Sequence, residues 1–270
     1  MMKENKFIKG VLIAISFIFI FLMLIIPLVV VITGALKEGI NGYINAIDNR
    51  ETYKAIELTI LVVIISVIFN TIFGLSAAWT ITKFKFKGKN ILNSLIDLPI
   101  AVSPIIAGLM FILAFGRGGI FENIITAMNF KIIYAIPGIV LATIFVTLPY
   151  ISKEIIPLMK SQGTDEEEAA AMMGASGLKI FFKVTLPNIK WGLIYGIILC
   201  TSRAMGEFGA VSLVSGHIGG KTNTLPLHIE ILYNDYQFAA SFAAASILVI
   251  ISVIILVLRN IVEWKAKREG

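Results

Sequence analysis

Two opposite charges in T-S-R-A-M-G-E-F-G-A carry the sharpest chemistry in this chain. Arg203 and Glu207 are four residues apart within an apolar segment, a spacing that puts them on one helix face, where they neutralise each other. An ionisable pair in such surroundings marks a functional path or a structural clamp. Either Arg203 contributes positive potential to an anion path, or the pair only pins helices together. Asp97 opens a second case, at the start of D-L-P-I-A-V-S-P. It is either a pore-side gating position or a helix-end carboxylate within reach of headgroup water. No apolar segment pairs His, Cys or carboxylates at ligand or catalytic spacing, which argues against a membrane enzyme. His217 and His228 have no ligand-spaced neighbours, so they do not suggest a metal site. Cys200 is the lone cysteine, which excludes an intrachain disulfide and reads as a small buried hydrophobe. G-G-K-T at 219–222 has the ending of a phosphate-binding loop, but that motif needs Gly where Ser215 stands. The chemistry on offer is electrostatic, not covalent.

The elements that must position these groups lie in a membrane. The chain is 57% apolar with a mean hydropathy of +0.90, outside the range of soluble domains. Six stretches are long enough to span, at about 9–33, 56–82, 93–115, 133–152, 190–212 and 240–261. The expectation is an all-α integral membrane protein of six transmembrane helices, a single domain over 1–270 with no internal repeat. The first stretch is too long for a signal-peptide core and is read as a retained helix. In the third, Pro99 and Pro104 each remove a helix hydrogen bond, so it should be kinked or partly unwound. In the fifth, Gly206 and Gly209 allow close approach or local distortion. Counting about 1.5 Å per residue from Lys190 puts Arg203 beyond the midplane and Glu207 nearer the outer face.

Lysine and arginine set the orientation. One side collects Lys3, Lys6 and Lys9, the K-F-K-F-K-G-K run at 83–89, five lysines between 153 and 190, and Arg259, Lys265, Lys267 and Arg268. The other side holds Lys37, Arg50, Lys54, Arg117, Lys131 and Lys221. The excess puts both termini in the cytoplasm. It also accounts for the net charge of +6 without a nucleic-acid partner. The 83–89 run reads as a tight basic turn that fixes topology, in preference to a strand or a lipid-phosphate patch.

One cytoplasmic loop, 153–189, is too well patterned to be a passive linker. It contains T-D-E-E-E-A-A-A-M-M-G-A-S-G-L-K-I-F-F-K-V-T-L-P at 164–187. Thr164 with Glu167 three residues on is a capping box, and Asp165, Glu166 and Glu168 add charge favoured at a helix N-terminus. Gly174 is placed to end that helix. A second run, Leu178 to Val184, is expected to stop at Pro187. Ala170, Ala171, Met172 and Met173 should offer a small adaptable apolar face.

This stretch resembles the coupling loop of binding-protein-dependent ABC importer permeases: E-A-A, three residues, Gly, nine residues, a β-branched residue, one residue, then L-P. Glu168, Ala169, Ala170, Gly174, Val184, Leu186 and Pro187 fall in register. R-A-M-G-E-F-G-A is similar to molybdate and tungstate permeases as well. The reading from V-S-G-H-I-G-G-K-T-N-T-L-P to I-L-Y-N-D-Y, with I-D-L-P-I-A-V-S-P-I-I-A-G-L, resembles the W-type permease of sulfate/thiosulfate importers.

The resemblance implies a type I importer architecture and one half of a pore, facing a T-type permease. Two cytoplasmic ATPase subunits would dock on the coupling residues, and an external sulfate-binding protein would deliver the anion. No cofactor would be bound by this chain, ATP and magnesium being used by the ATPase. Arg203, Glu207, Asp97 and Pro104 are the candidates for the translocation path. The alternatives are a molybdate/tungstate permease or an anion transporter that needs no ATPase.

Overall fold

A computed structural model describes residues 6–269, which contain helix and no strand. Lys3 lies outside the described residues. Four helices are long and apolar enough to cross a membrane, or six if each of two bent pairs counts as one span. They are α1 (Phe7–Ala35), α3 (Arg50–Lys83), α7 (Ile136–Gln162) and α13 (Phe238–Glu269). The bent pairs are α4 (Lys89–Ala101) with α5 (Pro104–Phe115), and α9 (Gly177–Asn188) with α10 (Lys190–Met205). Shorter helices complete the chain: α2 (Gly39–Ile47), α6 (Glu122–Ala127), α8 (Asp165–Met172), α11 (Gly209–Ser215) and α12 (Leu225–Asn234). Helices are what a bilayer demands, since they satisfy their own backbone groups.

The core is built where α3, α7 and α10 meet. Ile151 of α7 is fully buried. Gly74 of α3 and Gly196 of α10 both back onto it, so closely that a Cβ on Gly74 would lie 3.0 Å from the Ile151 side chain. Small residues let helix backbones approach where no hydrophobic force separates helix from lipid. Helix α1 lies outside this core and packs against α13, with Gly34 making room for the Phe242 ring. Two prolines, Pro27 and Pro187, are absorbed by π turns. Phe21–Ile25 precedes Pro27, and Ile26 donates five residues back to the Phe21 carbonyl. Widening the turn removes the clash between the proline ring and the preceding carbonyl.

Two expected spans are not continuous helices. The third folds back by 109° at Val102 and Ser103. Both residues are extended (ψ 131° and 135°), as the residue before Pro104 is forced to be. Pro99 stays inside α4, and it is Pro104 that starts the new helix. The fifth ends at Met205 rather than continuing to 212, and restarts as α11. The basic run behaves as a turn, with Phe84–Gly88 joining α3 to α4.

α5 and α11 pack backbone against backbone. A Cβ on Gly108 would sit 2.7 Å from the Ala210 carbonyl oxygen. Gly108→Ala is therefore expected to lower the unfolding midpoint of the detergent-solubilised protein, and Gly108→Val to lower it further, at a cost of about 1–3 kcal/mol. An unchanged midpoint for both variants would contradict this packing.

Candidate functional site

The patterned loop folds as a bracket whose first turn is roped to the ends of two other helices. Asp165, Glu166, Glu167 and Glu168 occupy the acidic first turn of α8. The capping box does not form. The Thr164 hydroxyl donates to Glu168 Oε1 at 2.7 Å, and Glu167 turns inward. Glu167 Oε1 accepts from the Thr185 hydroxyl at 2.6 Å, and Oε2 lies 2.8 Å from Lys83 Nζ. A nearly buried lysine needs a charged partner, and that bond outweighs a neutral cap. Lys83 also donates to the Gly163 carbonyl at 2.7 Å. Asn188 Nδ2 donates to Glu166, and Gln162 Nε2 donates to the Asn188 carbonyl at 2.8 Å.

The exit from α8 follows the expected turn. Gly174 has φ +82°. The Gly174 N–H reaches the Ala171 carbonyl at 2.9 Å, and the Ala175 N–H reaches Ala170 at 3.1 Å. This pair of bonds is the Schellman closure. The second arm departs from expectation. It runs over Gly177–Asn188 instead of Leu178 to Val184, because a π turn at Phe181–Thr185 accommodates Pro187 as it does Pro27. Pro187 begins the last turn instead of ending the helix, and the chain bends by 74° into α10. Met172 and Met173 are 91% and 83% exposed, with Leu178 and Phe182 also exposed beyond them. Glu168 and Ala169 face outward too, whereas Ala170 is buried and does not belong to the outer face.

The second site lies where two helix breaks meet. Arg203 is on α10, but Glu207 stands beyond its end, so the two do not share one helix face. Arg203 Nη1 nevertheless lies 2.6 Å from Glu207 Oε2, an ion pair not aligned as a hydrogen bond. Glu207 is almost fully buried, while the Arg203 side chain remains 29% exposed. The other Glu207 oxygen accepts from the Ala210 N–H at 2.8 Å and so caps the start of α11. Pro104 joins this site, since Gly209 packs against its ring. Asp97 does not: it pairs with Lys153 of α7 at 3.0 Å, with both side chains partly exposed.

Several polar contacts were not legible beforehand. Leu148 donates to the Phe145 carbonyl instead of Ile144, next to Pro149. Buried Asn70 of α3 supplies the missing donor to Ile144 at 3.2 Å and also reaches Thr147 at 2.7 Å, beside Cys200. At the far end of α3, the Thr59 hydroxyl accepts from the Leu225 N–H at 2.7 Å. Thr52 lies 3.0 Å from His228 Nε2. Burial holds the His228 imidazole below its usual pKa, and the Glu51 carboxylate pulls the other way. The glycine-rich segment at 216–220 is a turn, with Gly216 and Gly220 at positive φ.

Residues 70–268 match the family described as "Binding-protein-dependent transport system inner membrane component". The chain is 47% identical to the sulfate transport system permease protein CysW of Synechococcus elongatus, over 99% of this chain and 94% of that protein. It is 31% identical to the permease protein CysT of Salmonella typhimurium, over 94% and 91%. Its fold matches a chain of the bacterial alginate ABC transporter in complex with its alginate pentasaccharide-bound periplasmic protein. That match has a TM-score of 0.80 at 15% identity, covering 95% of this chain and 94% of that one. With an all-helical, multi-span fold and a patterned bracket in register with such permeases, the chain belongs to the inner membrane components of binding-protein-dependent ABC transporters, among the sulfate permeases.

Proposed function

We propose that this chain is the W-type permease subunit of an ATP-driven importer for sulfate or thiosulfate, working by alternating access. The observation that carries the reading is the bracket. It presents Met172, Met173, Leu178 and Phe182 on its outside, its two arms are bonded to each other, and it is tied to the ends of α3 and α7. An outward apolar face on a rigidly held loop suits docking into an ATPase groove, with Glu168, Ala169, Ala170, Gly174, Leu186 and Pro187 shaping it. Differential contact between nucleotide states would then turn ATP closure into movement of the spans. Likeness to both CysW and CysT supports a heterodimer with a T-type partner. The complex would also include two ATPase subunits using ATP and magnesium, and an external sulfate-binding protein. The chain would lie in the plasma membrane with both termini in the cytoplasm. Arg203, at the meeting of two helix breaks, would lend positive potential to the anion path, with Glu207 and Pro104 beside it and Asp97 outside it.

The test is sulfate uptake into vesicles containing both permeases and the ATPase, with the binding protein added. Uptake should require ATP on the ATPase side and survive collapse of ion gradients. Gradient-driven uptake without ATPase would overturn the reading in favour of a secondary transporter. Preferential uptake of molybdate or tungstate would move the substrate to the related permease class.

A further inference from the structure

Two long helices have no break, α13 and α3, and of these α3 is the one bonded to α8. It runs 34 residues without proline, on the order of 50 Å at the usual rise. By contrast α4 and α5, and α9 and α10, are bent apart, and the helix ladder of α7 is disturbed at Leu148. Both ends of α3 are pinned by polar contacts to segments on opposite sides, the α7–α8 corner and the start of α12. At one end Lys83 holds Glu167 and the Gly163 carbonyl, with its side chain 11% exposed and that of Glu167 17% exposed. At the other, Thr59 holds the Leu225 N–H and Thr52 meets His228. A small polar cleft of about 210 Å³ lies behind α8, lined in part by Lys83, Thr164, Glu166, Glu167 and Thr185.

From this arrangement we infer that Lys83 is the positioning residue that delivers movement of α8 to α3, and that α3 carries it as a rod to the outer loop at 222–228. The inference rests on the importer reading above. A charge pair held this far from solvent does not slide as an exposed one does. When α8 shifts, Glu167 must either pull Lys83 with it or leave both charges stranded. The outer loop follows because its backbone and His228 are bonded to the same unbroken helix. Lys83 acts through Glu167 and contacts neither nucleotide nor anion.

The experiment uses the assembled complex in liposomes. Radiolabelled sulfate uptake and ATP hydrolysis are measured together, alongside amide hydrogen exchange at 222–228 with and without ATP. Lys83→Met should keep the ATPase bound and hydrolysing, because the bonds from Thr185 to Glu167 and from Asn188 to Glu166 still hold α8. Sulfate delivered per ATP should fall on the order of tenfold, and the nucleotide-dependent change in exchange at 222–228 should vanish. Lys83→Arg should preserve both. Adding Glu167→Gln to Lys83→Met should cost nothing further, because the pair acts as one unit. A Lys83→Met complex with the wild-type ratio and exchange response would overturn the inference. So would a loss of uptake that merely tracks loss of assembled complex. If the unaltered complex takes up no sulfate with ATP, the importer reading fails instead. The exchange response still decides the role of Lys83, because it is read without sulfate.

Discussion

In the importer proposed above, Gly174→Val is expected to release the ATPase subunits from the permease while leaving membrane insertion unchanged. Gly174 sits at φ +82°, and nothing lies within 4 Å of where its Cβ would be. Crowding is therefore not the cause. The cost comes from the backbone: a left-handed conformation costs an L-residue roughly 1–2 kcal/mol, and a β-branched one tolerates it worst. Relief comes by opening the turn, which breaks the paired bonds from Gly174 and Ala175 to Ala171 and Ala170. Met172 and Met173 precede that turn and Leu178 follows it, so the outward face loses its shape. Gly174→Asn is the control, since asparagine adopts this conformation readily. Copurification of the ATPase with each variant, normalised to permease in the membrane, is the measurement. Full recovery of ATPase with Gly174→Val would show that the turn does not shape the docking surface.

Arg203→Gln should damage the protein more than an exposed charge would. It leaves the buried Glu207 carboxylate with only the Ala210 N–H. Breaking a buried pair from one side costs about 3–5 kcal/mol, enough to reduce assembled complex severely. Glu207→Gln alone should be milder, because a glutamine oxygen still accepts from Ala210 and Arg203 retains access to solvent. The double variant, Arg203→Gln with Glu207→Gln, removes the stranded charge and is expected to restore assembly. Transport then separates the two roles. If sulfate uptake per assembled complex stays low in the double variant, Arg203 acts on the anion path. If uptake returns with assembly, the pair is a clamp between α10 and α11 and the path reading is wrong.

Composition and local pattern determined a good deal about this protein by themselves. Continuous apolar stretches of about twenty residues cross a bilayer as helices, so the fold class followed from the length of those stretches. The left-handed turn at Gly174 was legible because a helix exit is decided by the few residues that make it. The proline positions likewise announced a bend in the third span, as the residue before Pro104 has little choice but to be extended. What the sequence could not determine depended on partners distant along the chain. Thr164 and Glu167 have ideal capping spacing, yet Glu167 is taken by Lys83, whose other acceptor, Gly163, lies 80 positions beyond it in the chain. The four-residue spacing of Arg203 and Glu207 promised a shared helix face. The ion pair forms across a helix end instead, because Glu207 is drawn to cap α11, which packs on α5. Asn70 had no visible role until the fold placed it against the Ile144 carbonyl, 74 positions away. Local backbone choices are settled among neighbours in sequence. A buried charge or an orphaned carbonyl is settled by whichever group the packed helices bring within reach.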